Sequence, residues 1–274
     1  MQCVWRWVWL VMSTQLTFPG FGESLEEKVK HSIEVMRAYE PPEGYWLGFS
    51  GGKDSCALKK IAELSGVKFT AHYTNPTIDP PELVYFIRDH HKDVIKHQPK
   101  MSLWTMAATR SGLPTRVARW CCKAYKEGGG NGCTKAFGVR AAESSARKNR
   151  WKEWSYWEGD YIANPLYRWT DAELWEFLEG ENVKTCALYK EGFKRLGCVG
   201  CPMSRDKRRH FTRWPGHERN WRRAARTYWA RAIARKSTGK TYRVFSDADE
   251  WFDWWTGDDP MPTEDDGCQM GLFQ

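Results

Sequence analysis

No apolar run in this sequence is long enough to cross a bilayer. The most apolar stretch, Met1 to Val11, falls short of the ~20 residues a spanning helix needs, and no small-residue cleavage site follows it. Internal repeats and low-complexity tracts are also missing, which excludes solenoids and compositionally disordered chains. Lys and Arg are absent from Asp247 onward. The nine cysteines are odd in number and unevenly spread, with no secretory signal, so a disulfide scaffold is not expected and a reduced, cytoplasmic setting is. Met12-Ser-Thr-Gln-Leu-Thr-Phe-Pro-Gly reads like a natural start, leaving residues 1–11 as an upstream extension.

What is present fits a globular enzyme. The 274 residues suffice for one large domain plus a lobe, and 41% hydrophobic with 28% charged residues is ordinary for a folded chain. Seventeen Trp are unusual; most are expected in the core, with base-stacking platforms as the other use. The net charge of +8 favours anionic partners. Arg and Lys crowd residues 205–240, with Asp206 and Glu218 the only acids, and the end beyond Asp247 is acidic. Two readings stand side by side: the acidic end folds back on the basic stretch, or the basic face is free for polyanions.

Helical spacing of Leu25, Val29, Ile33 and Met36 predicts a helix ended by Pro41-Pro42. Tyr45–Phe49, Val67–Thr74 and Val94–His97 read as strands, alternating with helices over Cys56–Leu64 and Pro80–His91. Such alternation argues a doubly wound α/β fold with a mainly parallel sheet. Phe137–Arg140 is a further strand candidate, Thr170-Asp-Ala-Glu is a capping box opening a helix to about Leu178, and a long helix is expected from His217 to Lys236. Beyond it, the acidic end with Trp251, Trp254 and Trp255 reads as loose. The expected organisation is an extension over 1–24, a nucleotide-binding domain over 25–202, and a small C-terminal helical lobe with an acidic tail over 203–274.

Between the first strand and the next helix lies Ser50-Gly51-Gly52-Lys53-Asp54-Ser55. Amides of a Gly-rich turn converge on an anion and the following helix adds its positive end. Here Lys53 supplies a point charge, Ser50 and Ser55 hydroxyls, and Asp54 an orienting group or Mg²⁺ contact. A Walker loop needs different spacing. Cys121-Cys122 and Cys198-Val-Gly-Cys201 form two local thiol pairs suited to a tetrahedral metal, zinc or an iron–sulfur cluster, with the tandem pair less typical of zinc. Cys133 and Cys186 are the competing ligands, and His90, His91 and His97 read as residues of a solvated helix and strand rather than ligands.

The 50–55 loop resembles the PP-loop of the ATP pyrophosphatase superfamily, adenine nucleotide alpha-hydrolase-like proteins. Tandem Cys, a long gap and Cys-x-x-Cys resemble the [4Fe-4S] signature of adenylylsulfate reductases in the phosphoadenylylsulfate (PAPS) reductase family. Asn164-Pro-Leu-Tyr-Arg-Trp-Thr-Asp-Ala-Glu-Leu-Trp and Gly192-Phe-Lys-Arg-Leu-Gly-Cys198 are similar to the segments leading to that family's second cysteine pair. The resemblance spans about Gly44 to Pro202. It implies a [4Fe-4S] cluster on Cys121, Cys122, Cys198 and Cys201, with Lys126 beside it. It also implies that Phe137-Gly-Val-Arg140-Ala-Ala-Glu143, with Arg147, helps hold an adenine nucleotide, and that Cys268 on the tail attacks sulfur to release sulfite. A thiol reductant such as thioredoxin would then regenerate the enzyme. Two departures favour ATP with Mg²⁺: the intact loop, and Glu143 where the reductases usually carry Gln. Both resemble DNA phosphorothioation sulfur-transfer proteins, which implies as the alternative an ATP-dependent thiolation of DNA or tRNA gripped by the Arg-rich lobe. Gln269-Met-Gly-Leu-Phe273 is also similar to peptides that dock on sliding clamps.

Overall fold

The computed structural model describes residues 23–126, 128–236 and 245–257. Helix α1 (Leu25–Ala38) opens on a capping box in which the Ser24 hydroxyl accepts from the Glu27 amide and the Glu27 carboxylate accepts from Ser24. Its inner face is pinned to the sheet layer by polar contacts: Ser32 donates to the Pro165 carbonyl at 2.7 Å and Tyr45 donates to the Met36 carbonyl at 3.0 Å.

Three strands follow, β1 (Tyr45–Gly48), β2 (Phe69–Thr74) and β3 (Ile95–His97), separated by α2 (Lys53–Ser65) and α3 (Pro81–His90). After α4 (Leu103–Met106), a π-helical turn over Ala107–Ser111 and α5 (Trp120–Tyr125), the chain returns through β4 (Lys135–Ala136). A 3₁₀ turn (Ala141–Glu143) and α6 (Ser145–Arg150) lead to the hairpin β5 (Trp154–Trp157) and β6 (Asp160–Ala163). The sheet order is β3-β2-β1-β4-β6-β5, parallel throughout except the β5–β6 hairpin. β2 and β3 lie on one side of β1 and β4 on the other, so the switch point, and the crevice it makes, falls beyond the carboxyl ends of β1 and β4. Helix α7 (Asp171–Gly180), capped by Thr170, packs against α2.

The C-terminal helices are α8 (Lys207–Arg213), α9 (Pro215–Lys236) and α10 (Ala248–Thr256). Their aromatic side chains join the main hydrophobic core: Trp214, Trp221, Trp229, Trp251 and Trp255 are all buried, as most of the Trp were expected to be. No described helix is long and apolar enough to cross a membrane.

Three local expectations are corrected. The strand expected over Phe137–Arg140 is Lys135–Ala136 instead; the chain leaves the sheet there because Gly138 passes so close to α2 that a Cβ would lie 2.9 Å from the Asp54 carbonyl. The acidic end is not loose up to Gly257: Asp247 accepts from the amides of Asp249 and Glu250, and the helix it starts buries Trp251, Phe252 and Trp255 on one face. His91 is not solvated; at 9% exposure it packs between Phe49 and Phe86, 4.6 and 5.0 Å between ring centroids. Of the two charge readings, the fold-back is seen within the described residues: Arg222 bonds Asp249 at 3.1 Å and Asp253 at 2.9 Å, and Arg226 bonds Asp249 at 2.9 Å.

Candidate nucleotide and thiol sites

The turn after β1 has to be glycine-rich. Gly51 sits at φ +72°, and a Cβ there would lie 2.8 Å from the buried Ile87 side chain. Gly52 is the N-cap of α2 and brings no side-chain cap, which leaves first-turn amides to other partners. One of them, Lys53 N–H, donates to the Tyr189 hydroxyl at 2.7 Å. Ser55 donates to the Gly52 carbonyl at 2.9 Å and Ser50 donates to Ser55 at 3.3 Å, which fixes the turn from within.

Beyond this turn is a cavity of about 200 Å³, at the crevice the sheet topology calls for. Ser50, Gly52, Asp54 and Ser55 line it from the β1 side, and Gly138, Val139, Glu143 and Arg147 from the β4 side. Tyr189, Arg195 and Leu196 close it. Six of the nine residues expected to bind nucleotide therefore meet there. Gly51, Lys53 and Arg140 stand behind the wall instead. Lys53, 3% exposed, bonds Asp54 at 3.1 Å and Asp171 at 3.2 Å. Arg140, 2% exposed, forks between Asp54 at 2.5 Å and Asp171 at 2.6 Å and also donates to the Trp169 carbonyl. Partial burial works against ionised Asp171, yet the Arg140 hydrogen bond and the Lys53 charge outweigh it and hold its carboxyl below the ordinary range. Burial likewise raises the Tyr189 phenol, which stays a neutral partner for the Lys53 amide. On the far wall Glu143 pairs with Arg147 and lies 3.8 Å from Arg195.

A second cavity, also about 200 Å³, adjoins the first across Arg195 and Leu196, which line both. Cys121 and Cys122 reach it from α5, and Cys198 and Cys201 from the loop before α8. Lys126 lines it too, and its ammonium donates to the Cys198 sulfur. That neighbouring sulfur, more than any other group, holds the ammonium charged. Burial pushes the Cys198 thiol up to about 12. In the adjacent pair, the hydrogen bond from Cys121 pulls Cys122 down, helped by Arg119, whose guanidinium donates to the Cys122 sulfur at 3.3 Å. The four thiols line one cavity, but among the described residues no group of three or more Cys, His, Asp or Glu stands at metal-ligand spacing. Their chemistry, four soft donors beside two cations, fits an iron–sulfur cluster. Cys133 and Cys186 are outside this wall: Cys186 is buried in the core and Cys133 closes a turn onto the Gly130 carbonyl. Cys268 lies outside the described residues, as do Gln269 to Phe273.

Asp171, Tyr189 and Arg195 were not anticipated as site residues. Asp171 sits directly after the Thr170 cap and Arg195 in the Gly192–Cys198 segment, so both lie in stretches that already stood out; nothing in the sequence marks Tyr189.

Two uncharacterized proteins of Methanocaldococcus jannaschii are similar to this chain. One is 26% identical over 198 residues, 67% of this chain and 38% of that protein. The other is 23% identical over 202 residues, 66% of this chain and 48% of that protein. The chain thus spans less than half the length of either. A crystal structure of phosphoadenylyl-sulfate (PAPS) reductase from Candida auris in a phosphate complex aligns with TM-score 0.48 and 14% identity, over 66% of this chain and 97% of that one. The family model for the phosphoadenosine phosphosulfate reductase domain matches residues 44–204, more than half of the sequence and all of both cavity-forming segments up to Ser204. The chain belongs to the phosphoadenosine phosphosulfate reductase domain family.

Proposed function

We propose that this chain binds Mg²⁺-ATP in the crevice beyond β1 and β4 and uses it to activate an oxygen of an acceptor for replacement by sulfur. The observation that carries the reading is the pair of carboxylates, Asp54 and Glu143, in the wall of the phosphate-loop cavity. Asp54 and Glu143 are paired with Arg140 and Arg147, yet a carboxylate has lone pairs to spare, and Mg²⁺ is held by one or two carboxylates plus phosphate oxygens. Ser50, Gly52 and Ser55 line the same space and suit the leaving pyrophosphate, with Arg147 and Arg195 opposite. The acceptor oxygen attacks the α-phosphorus, the bond to the bridging oxygen breaks, and pyrophosphate leaves. The adenylated oxygen is then a leaving group for a sulfur nucleophile. Arg140 and Lys53 touch neither reactant; they hold Asp54 and Asp171 in place.

Cys121, Cys122, Cys198 and Cys201 are the residues that would hold the [4Fe-4S] cluster the family resemblance implies, and bound there it would supply a soft site for sulfur. Lys126 keeps positive charge against Cys198, and Arg119 against Cys122.

The test is pyrophosphate release from ATP in the presence of DNA or tRNA as acceptor, with and without Mg²⁺, in the wild type and in Asp54→Asn. Mg²⁺-dependent release lost in the variant supports the reading. Sulfite release from adenylyl sulfate with a thiol reductant and no ATP refutes it. That second outcome belongs to the reductase reading, which the family match itself favours; it predicts that Cys268→Ser abolishes sulfite release. Iron and acid-labile sulfide in anaerobically purified protein test the cluster, and zinc without iron would refute it.

A further inference from the structure

Among the described residues, strand β5 closes one end of the sheet and pairs only with β6. Sheet edges are usually guarded by charge, proline or irregularity. This one carries Trp154-Ser-Tyr-Trp157, and the hairpin leaves Tyr156, Trp157 and Tyr161 at 63, 41 and 52% exposure. The rings are ordered. On one face Tyr39, Trp154 and Tyr161 lie parallel to within 7°, with centroids 4.2 and 5.2 Å apart, and Tyr156 follows at 5.1 Å. On the other, Trp151 lies 5.9 Å from Trp157, and the Arg150 guanidinium sits 5.0 Å over the Trp157 ring.

The strip is bordered by cations. Lys148, Arg150 and Lys152 are all exposed. Most of the hairpin's acids are already taken: Glu153 bonds His31 and Arg168, and Asp160 bonds Lys135, leaving Glu158 at the turn. Helix α6 links this strip to the phosphate-loop cavity, since Arg147 lines the cavity and Arg150, three residues on, covers Trp157. The α9 helix is a poorer candidate for a polyanion than its sequence implies, because Arg222 and Arg226 are neutralised by Asp249 and Asp253.

We propose that Trp151 and Trp157, with Lys148 and Arg150, form a stacking platform for single-stranded nucleic acid, and that this strand is the acceptor delivered to the cavity. Exposed aromatic rings select planar partners and the flanking cations select phosphates. A duplex does not satisfy the rings, because its bases are already stacked on one another. The inference rests on the proposed ATP chemistry for its meaning, but not for its binding test.

The experiment is fluorescence anisotropy of a labelled thymidine oligomer of about twelve nucleotides, using the full chain at several salt concentrations. The variants are Trp157→Ala, Trp151→Ala, Arg150→Glu and, on α9, Arg223→Glu. Trp157→Ala is expected to weaken binding about tenfold with the salt slope unchanged, and Arg150→Glu to lower that slope by about 1. Arg223→Glu is expected to have the smaller effect. The platform is overturned if Trp157→Ala and Trp151→Ala, shown to be folded by circular dichroism, bind as tightly as wild type. It is equally overturned if Arg223→Glu costs more than Arg150→Glu, if no oligomer binds, or if Trp157 instead captures a protein. Binding of Mg²⁺-ATP to the wild type, measured by calorimetry without the oligomer, separates failure of the platform from failure of the ATP reading.

Discussion

Replacing Arg140 with Ala removes the hub of the polar cluster behind the phosphate loop. Two charge-assisted bonds are lost, to Asp54 and Asp171, together with the bond to the Trp169 carbonyl. Breaking a buried pair by deleting one partner costs ~3–5 kcal/mol. The Asp171 side chain is 63% exposed, so water replaces much of that bond, and the lower end, about 3 kcal/mol, is expected. For a chain of this size that is a fall of roughly 6–12 °C in Tm. The loss should also depend on pH with a definite sign. Asp171 is held below the ordinary carboxylate range, so its contribution is present above the unfolded value of about 3.9 and disappears as pH falls through the lower folded value. Urea unfolding followed by Trp fluorescence at pH 7 and at pH 3 measures both effects. The difference between wild type and Arg140→Ala should be largest at pH 7 and shrink in acid. Arg140→Lys should recover less than half, because an ammonium cannot fork between two carboxylates. A loss under about 1 kcal/mol at pH 7, or full recovery by Lys, would refute this account of the cluster.

Burial, aided by the nearby Lys59 charge, lowers His91 to about 4, and neither ring nitrogen has a hydrogen-bond partner among the described residues. Its contribution to stability is present above the unfolded value of about 6.5 and is lost as pH falls toward 4, so His91→Phe should flatten the urea midpoint between pH 7 and 4.5. In Gly51→Ala, the left-handed backbone costs ~1–2 kcal/mol and the methyl meets Ile87 and Leu83; ATP affinity measured by calorimetry should fall at least tenfold, and unchanged affinity would remove the loop from the phosphate site. Lys207 is buried and donates to the Trp255 and Gly257 carbonyls at the end of α10. Lys207→Met should cost about 2 kcal/mol and lower Tm by several degrees, with no change in thymidine-oligomer binding.

The sequence carried the sheet and the loop because both depend on local pattern. Short β-rich runs alternating with helical spacing marked the β1, β2 and β3 region, and two adjacent glycines before a helix marked the phosphate turn. Bringing Cys121 and Cys122 to the same cavity as Cys198 and Cys201 followed from resemblance, not from periodicity, since the pairs belong to distant elements. The roles of Lys53 and Arg140 were not legible. Both look like phosphate ligands by composition, and both turn out to be neutralised by Asp54 and Asp171, a pairing fixed only when α7 packs on α2. Tyr189 was invisible for the same reason: its hydroxyl matters because folding sets it on the Lys53 amide. The acidic end misled because charge density hid three apolar positions, Trp251, Phe252 and Trp255, that share one face of a helix.

The indole N–H of Trp221 donates at 3.1 Å to the carbonyl of Val199, one of the two residues between the cysteines of the Cys198–Cys201 turn, and its ring also borders the thiol cavity and lies 5.2 Å from Trp255. A fully buried fluorophore is thus wired to the backbone of that turn. Filling or oxidising the cavity should shift its emission and its energy transfer to Trp255, so the protein carries its own optical gauge for events at the thiols.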